Sequence, residues 1–269
     1  MGRVVVILLL WLSITHVWGQ DRVYRFGVSP QKSASQLAQA WTPFLNYLSA
    51  HSGLALRFGT SPDSEAFSKR LADGEFDFCF VNPQQYVLLH EDPGYEALAR
   101  EKGRLLKGLL VIHKDSPIES IEALDGAQIA FPSTTSFAAS VLPQAALRAA
   151  GVDFTPRYVG SHASVYLNVA KKIFPAGGGI TRSLELAPES VRQQLKVFLK
   201  TPGYTPHAIA SHPRISEEDR AKIRAAIVAL ENDPDSQFIL DAIGFKGIQL
   251  AVDGDWDTLR HLALPAPPR

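Results

Sequence analysis

The chain has 269 residues, 46% apolar and 20% charged, the balance of a globular protein able to bury a core. Lys plus Arg equals Asp plus Glu at 27 each, so no basic footprint for a nucleic acid is present. A single cysteine, Cys79, excludes an internal disulfide and any paired-cysteine metal site.

Met1–Gly19 reads as an export signal. Arg3 is a basic start, Val4 to Ile14 an apolar stretch, and Val17-Trp18-Gly19 puts a small residue before a cut near Gln20. The apolar run is too short for the roughly 20 residues of a spanning helix. No cysteine stands near the cut to carry a lipid. The mature chain is therefore expected in a bacterial periplasm, without stable membrane insertion.

Val23 to Val28 forms a strand, followed by the loop Ser29-Pro30-Gln31-Lys32-Ser33. Thr42-Pro43 is expected to start a helix, as N-cap plus N1 proline, with Phe44, Leu45 and Leu48 inward and Gly53 as its end. Leu54 to Phe58 is a second strand, and Asp63 or Ser64 caps a helix carrying Phe67 and Leu71. Phe76 to Val81 is a nearly continuous apolar strand, the pattern of a sheet covered on both faces. Asn82-Pro83 ends it and opens another helix. Tyr95 to Ala99 and Leu105 to His113 read as antiparallel neighbours across Lys102-Gly103.

A change of module is expected at His113–Pro117. Ala127 to Phe131 is then a strand that runs into Pro132-Ser133-Thr134-Thr135-Ser136, and a helix continues from Ala138 to Ala150. Helix starts leave N–H groups without internal acceptors and carry partial positive charge. Hydroxyls beside them add uncharged donors, a way to hold an anion without burying a cation. The simpler role for such residues is N-capping. Arg157 to Val159 is a further strand, and a helix follows from Ser161 or His162. Pro175–Gly179 reads as a flexible stretch, a loop or ligand-approach segment. A short helix, Pro188 to Leu195, and a strand, Lys196 to Leu199, precede a second crossover at Thr201–Pro206. Ser216 with Asp219 opens a helix with Ile223, Ala226, Ile227 and Leu230 inward. Asp233-Pro234 opens another that stops at Gly244, and the tail after Leu264 is expected to be disordered.

Alternating strands and helices mean an α/β fold with mostly parallel sheets. The two crossovers divide it into residues 20–112 plus 206–264, and residues 113–205. In such sheets, ligands sit beyond the strand C-terminal ends. Ser29, Gln31 and Asn82 follow strands in the first part. Ser133, Thr134, Thr135, Ser136, Ser161 and His162 follow strands in the second. His162 at a helix start is kept neutral by the positive helix end and can donate to an oxyanion. Ser161 is first a cap, second a contact. Tyr204 and His207 stand at the hinge or the cleft edge. No His-x-x-x-His spacing occurs, Gly177-Gly178-Gly179 lacks the lysine of a P-loop, and no metal or cofactor is expected.

The order Trp41-Thr42-Pro43-Phe44-Leu45, Asp77, Lys114-Asp115-Ser116-Pro117-Ile118, Ser133–Ser136, Gly160-Ser161-His162 and Thr201-Pro202 resembles the phosphate/phosphite/phosphonate-binding periplasmic proteins of ABC importers. The resemblance implies a type II periplasmic-binding fold: two α/β lobes closing by a hinge on a small oxyanion. It places Ser133–Ser136 and His162 on the second-lobe face of the cleft. The chain departs from that pattern at Phe137-Ala138-Ala139, Ala163, Val81 and near Pro175. The expected partner is an ABC permease, with the periplasmic part of a membrane histidine kinase as the alternative, and a non-phosphonate anion or a metalloid as alternative ligand. Cys79 is expected to be a buried, inert thiol. An enzyme built on Cys79 and His162 is the rival class, and the expectation is that the protein is not an enzyme.

Overall fold

The computed structural model describes residues 22–262. The expected signal and the Pro-rich tail lie outside the described residues.

Two sheets divide the chain. The first contains β1 (Val23–Val28), β2 (Ala55–Gly59), β3 (Phe78–Val81), β4 (Glu96–Glu101), β10 (Ala208–Ser211) and β11 (Ile248–Leu250), in the order β11-β4-β10-β3-β1-β2. β1 runs parallel to β2 and β3, while β10 runs antiparallel to β3 and β4, and β11 antiparallel to β4. The second contains β5 (Leu109–His113), β6 (Ala127–Phe131), β7 (Phe154–Tyr158), β8 (Ala176–Gly179) and β9 (Leu195–Lys200), in the order β7-β6-β8-β5-β9. Here β6 is parallel to β7 and β8, and β5 is antiparallel to β8 and β9. Both sheets are mixed, with helices on their faces: the two-lobed α/β fold expected from the sequence, but not the mostly parallel sheets, because β5 and β10, the strands that enter from the crossovers, pair antiparallel to both their neighbours, as β11 does to β4.

Three local expectations are corrected. The first helix, α1 (Ala34–Ser52), begins at Ser33, not at Thr42. Ser33 and Gln36 form a capping box, and Pro43 lies inside the helix. An interior proline costs one hydrogen bond. Against it stands one buried stripe, Leu37, Trp41, Phe44, Leu45 and Leu48, at helical spacing. Trp41 packs on Phe26, Phe44 and Phe80, and extending the helix back to Ser33 brings Leu37 onto the same face. The stripe outweighs the lost bond.

Second, β4 and β5 are not neighbours. β4 pairs with β10 and β11, β5 with β8 and β9. The first crossover is therefore the segment 102–108, several residues before the expected His113–Pro117. It meets the second crossover directly. Leu106 and Tyr204 exchange backbone hydrogen bonds of 2.8 and 2.9 Å, and the Thr201 N–H reaches Gly108 O at 2.9 Å. The lobes are thus joined by a two-stranded strap.

Third, Pro175–Gly179 is no loop: Ala176–Gly179 is a buried strand inside the second sheet. A Cβ on Gly178 would overlap the Ala139 carbonyl and the Phe131 ring, and one on Gly179 would overlap Tyr166. The glycines exist for close approach of helices onto the strand, not for flexibility.

The remaining helices are α2 (Ser64–Ala72), α3 (Pro83–Glu91), α4 (Leu142–Ala149), α5 (His162–Ala170), α6 (Thr181–Glu185), α7 (Glu189–Arg192), α8 (Glu217–Glu231), α9 (Gln237–Ile243) and α10 (Asp257–Arg260). Their apolar faces build one core on each side of each sheet. One of these cores crosses the lobe boundary: Phe137, Val141 and Leu142 pack with Tyr86, Val87 and Trp256 of the first lobe.

Candidate functional site

The C-terminal ends of β1, β3, β6, β7 and β8 meet at one cavity of about 440 Å³ between the lobes. Ser29, Gln31, Asn82, Ser133, Thr135, Ser136 and His162 all line it. Two other expected residues stand apart. Thr134 is exposed and outside the lining. Ser161 is exposed too, and its Oγ accepts from the Ser164 N–H at 3.0 Å, the work of a simple cap.

The second-lobe wall starts with Ser133–Ser136. The helix after it does not open as an ordinary α-turn. Phe137–Val141 forms a π-turn, in which Ser140 and Val141 both donate to Ser136 O, at 2.8 and 3.3 Å. Pro143 supplies a reason: it has no N–H to give to Ala139 O, so an α-type bond is lost just beyond the first turn and the helix is free to widen there. The freed carbonyl of Ala139 lies against Gly178, and that of Ala138 against Gly108, where a Cβ would overlap each. The Ser136 side chain makes no cap bond. The N–H groups of Phe137, Ala138 and Ala139 are those that a helix start leaves without an internal acceptor, and these residues line the cavity. Ser133 Oγ and Thr135 Oγ1 stand 3.5 Å apart beside them.

His162 forms the other end of this wall. Its Nδ1 is 2.9 Å from Ser183 Oγ, which is 2.6 Å from the Tyr166 hydroxyl. The Ser183 and Tyr166 hydroxyls also reach Ile180 O, at 3.0 and 3.2 Å; when Ser183 turns its proton to Nδ1 instead, the ring carries its proton on Nε2 and presents a donor. An anionic oxygen in the cavity favours that arrangement. Burial holds the His162 pKa below its ordinary value, so the ring is neutral near pH 7.

The first-lobe wall is made of side chains. Asn82 caps α3, its Oδ1 accepting from the Gln85 N–H at 2.9 Å. Gln85 in turn donates to Ser68 Oγ at 3.0 Å and accepts from Ser29 Oγ at 3.4 Å. Gln31 Nε2 lies 2.9 Å from His207 Nε2, and the His207 ring stacks on Phe80. Burial pushes the His207 pKa down to about 4, with the Arg104 charge adding to the effect. Arg104 lines the same cavity, and its guanidinium donates to the buried Glu101 carboxylate at 2.9 Å.

Sequence reasoning missed Gln85 and Arg104. Gln85 could have been found as the third residue of a helix opened by Asn82-Pro83. Arg104 was hidden by the mistaken β4–β5 hairpin, which made a turn of what is the crossover.

Cys79 lies elsewhere. It is fully buried between Phe67, Phe76 and Val81, and burial pushes its pKa up, the reverse of an activated nucleophile. Asp77, part of the family-like motif order, is also remote from the cavity. It pins the start of β3 through Arg22 at 3.1 Å, Arg214 at 2.9 Å and the Arg25 N–H at 2.8 Å. Among the described residues, no cluster of His, Cys, Asp and Glu is arranged to hold a metal ion.

A sequence model of the family described as "ABC transporter, phosphonate, periplasmic substrate-binding protein" matches residues 26–256. The chain belongs to this family. The "Phosphonates-binding periplasmic protein" of Escherichia coli is 23% identical, over 94% of this chain and 79% of its own. Among solved structures, PhnD1 from Prochlorococcus marinus in complex with methylphosphonate aligns with TM-score 0.69 at 19% identity, covering 88% of this chain and 96% of that one. XAC2383 from Xanthomonas citri bound to chloride aligns with TM-score 0.77 at 18% identity, covering 87% and 93%. These likenesses carry the type II fold. The family consists of periplasmic substrate-binding proteins, not enzymes, and no described helix is long and apolar enough to cross a membrane.

Proposed function

We propose that this protein is an exported receptor that closes on a small tetrahedral oxyanion, phosphate, phosphite or phosphonate-like, and presents the closed form to an ABC permease. One observation carries the reading: a cavity at five strand ends, walled on one side by uncharged donors from a widened helix start and a neutral histidine. Such a set satisfies a buried anion without a competing countercharge. The ligand-binding residues are Ser133, Thr135, Ser136 and His162 from one lobe, and Asn82, Ser29 and Gln31 from the other. Closure draws its free energy from contacts made to both lobes at once, with the 102–108 and 201–207 strap as pivot. The relative from Prochlorococcus marinus, solved with methylphosphonate, supports the choice of ligand class. Export by cleavage near Gln20 is part of the proposal, and intact-mass analysis of periplasmic protein should find Met1 absent.

The test is calorimetric titration of the purified mature protein with phosphate, phosphite, methylphosphonate and sulfate. Saturable binding of a phosphorus oxyanion is expected. Binding of none, or of sulfate alone, would contradict the proposal. At 100 times its dissociation constant, the bound ligand should also stabilise the fold by about 2.7 kcal/mol.

A further inference from the structure

The cleft does not end at the anion wall. A second chamber of about 160 Å³ opens from it into the first lobe, between the start of α1 and the end of α9. The two spaces share Ser29, Gln31, Arg104, Leu106 and His207, and the Gln31–His207 hydrogen bond spans their junction. The chamber walls are part polar, with Ser29, Gln31, Lys32, Glu101, Arg104 and His207, and part aromatic and aliphatic. Trp41 packs on Phe80 with ring centres 4.7 Å apart, Phe80 on Phe245 at 5.8 Å, and Leu37 and Ile243 complete the lining. An apolar protein cavity of about 150 Å³ is large enough to take benzene.

The charges around this chamber limit what can enter. Its one carboxylate, Glu101, is already paired with Arg104, and the remaining charged side chain is Lys32. A cationic group would meet two cations and no free acid. A neutral apolar group would lose water on both sides and face aromatic rings.

We infer that the ligand is an organic oxyanion, its head held by the donor wall and a neutral, ring-sized apolar substituent seated in the aromatic chamber past Gln31 and His207. The inference rests on the proposed oxyanion receptor and names the class of its substrate. Gln31 and His207 then set specificity: their mutual bond must part, or swing with the ring, for a substituent to pass.

Calorimetry with methylphosphonate, benzylphosphonate and 2-aminoethylphosphonate tests it, using the wild-type protein and Ala242→Phe. Ala242 is an exposed residue of α9 in the chamber lining, so a phenyl ring there is placed to occupy the chamber without replacing a packed core side chain. Benzylphosphonate should bind about tenfold or more tightly than methylphosphonate. Ala242→Phe should erase that gain and leave methylphosphonate unchanged. Equal affinities for the benzyl and methyl compounds, or a gain that survives Ala242→Phe, would overturn the chamber while the oxyanion receptor stands. Tightest binding of the aminoethyl compound would overturn the charge argument. Binding of none of the three would remove the oxyanion receptor and the chamber with it.

Discussion

The two walls of the cleft are built from different materials. The second-lobe wall is mostly backbone and short hydroxyls, seated so closely that the Ala139 carbonyl rests where a Cβ of Gly178 would be and the Ala138 carbonyl where one of Gly108 would be. The first-lobe wall is made of longer side chains: Asn82 caps the helix of Gln85, Gln31 meets His207, and Arg104 pairs with Glu101. A wall of fixed donors suits recognition of a head group that never varies. A wall of amides and rings, with an aromatic space behind it, suits recognition of whatever the head group carries. The comparison can be broken by perturbing each wall in turn.

The largest effect is expected from Gly178→Val. The side chain would collide with Ala139 O and Phe131, displacing the π-turn that carries the donors. Overpacking of this kind should cost about 3 kcal/mol, read in urea unfolding, and should abolish oxyanion binding. Next comes His162→Ala. Loss of one donor to a charged ligand is worth about 1.5–3 kcal/mol, so affinity should fall by about tenfold to a hundredfold with the fold intact. On the opposite wall, Asn82→Ala should cost about 1 kcal/mol of stability through the lost cap, and a smaller share of affinity.

A gentler test uses pH. Burial depresses the pKa of both His162 and His207, the latter to about 4, so the folded protein resists protonating them. Above the unfolded value of about 6.5 both states are neutral and nothing changes. As pH falls from there toward about 4, the unfolded chain takes up protons that the folded one refuses, and stability falls. The urea midpoint should therefore drop between pH 7 and pH 4.5. His207→Gln should reduce that drop, and an unchanged pH dependence in that variant would contradict the assignment. The smallest effect is expected from Cys79→Ala, which should leave oxyanion affinity within about twofold, because the thiol lies in the first-lobe core. Loss of binding there would contradict the placement of the thiol outside the site.

Much of this arrangement was legible in the sequence, for reasons that can be named. Strand ends in α/β sheets share one edge, so residues directly after strands converge, and Ser29, Asn82, Ser133–Ser136 and His162 all follow strands. The α/β class followed from alternation, the two lobes from the crossovers and the family resemblance, while the antiparallel pairing of β5, β10 and β11 left no local signal. What escaped was set by tertiary packing. Pro43 is a sound local signal for a helix start, overruled by a buried stripe that reaches back to Leu37. Gly177–Gly179 reads locally as flexible, and only the helices laid across it make it a strand. The β4–β5 hairpin was plausible by spacing, and nothing local to Lys102-Gly103 shows that the strands part into different sheets. That one error moved the crossover and concealed Arg104. Pro143 was visible throughout, and its missing N–H could have flagged the widened turn.

The proposed site holds an oxyanion through the Thr135 and Phe137–Ala139 donors together with His162 Nε2. A crystal structure of the mature protein with methylphosphonate tests this most directly. Phosphonate oxygens are expected within hydrogen-bond distance of Thr135 Oγ1, of at least one of those backbone N–H groups and of His162 Nε2, with the lobes closed about the 102–108 and 201–207 strap. A phosphonate seated on Arg104 alone, or outside the cleft, would contradict it.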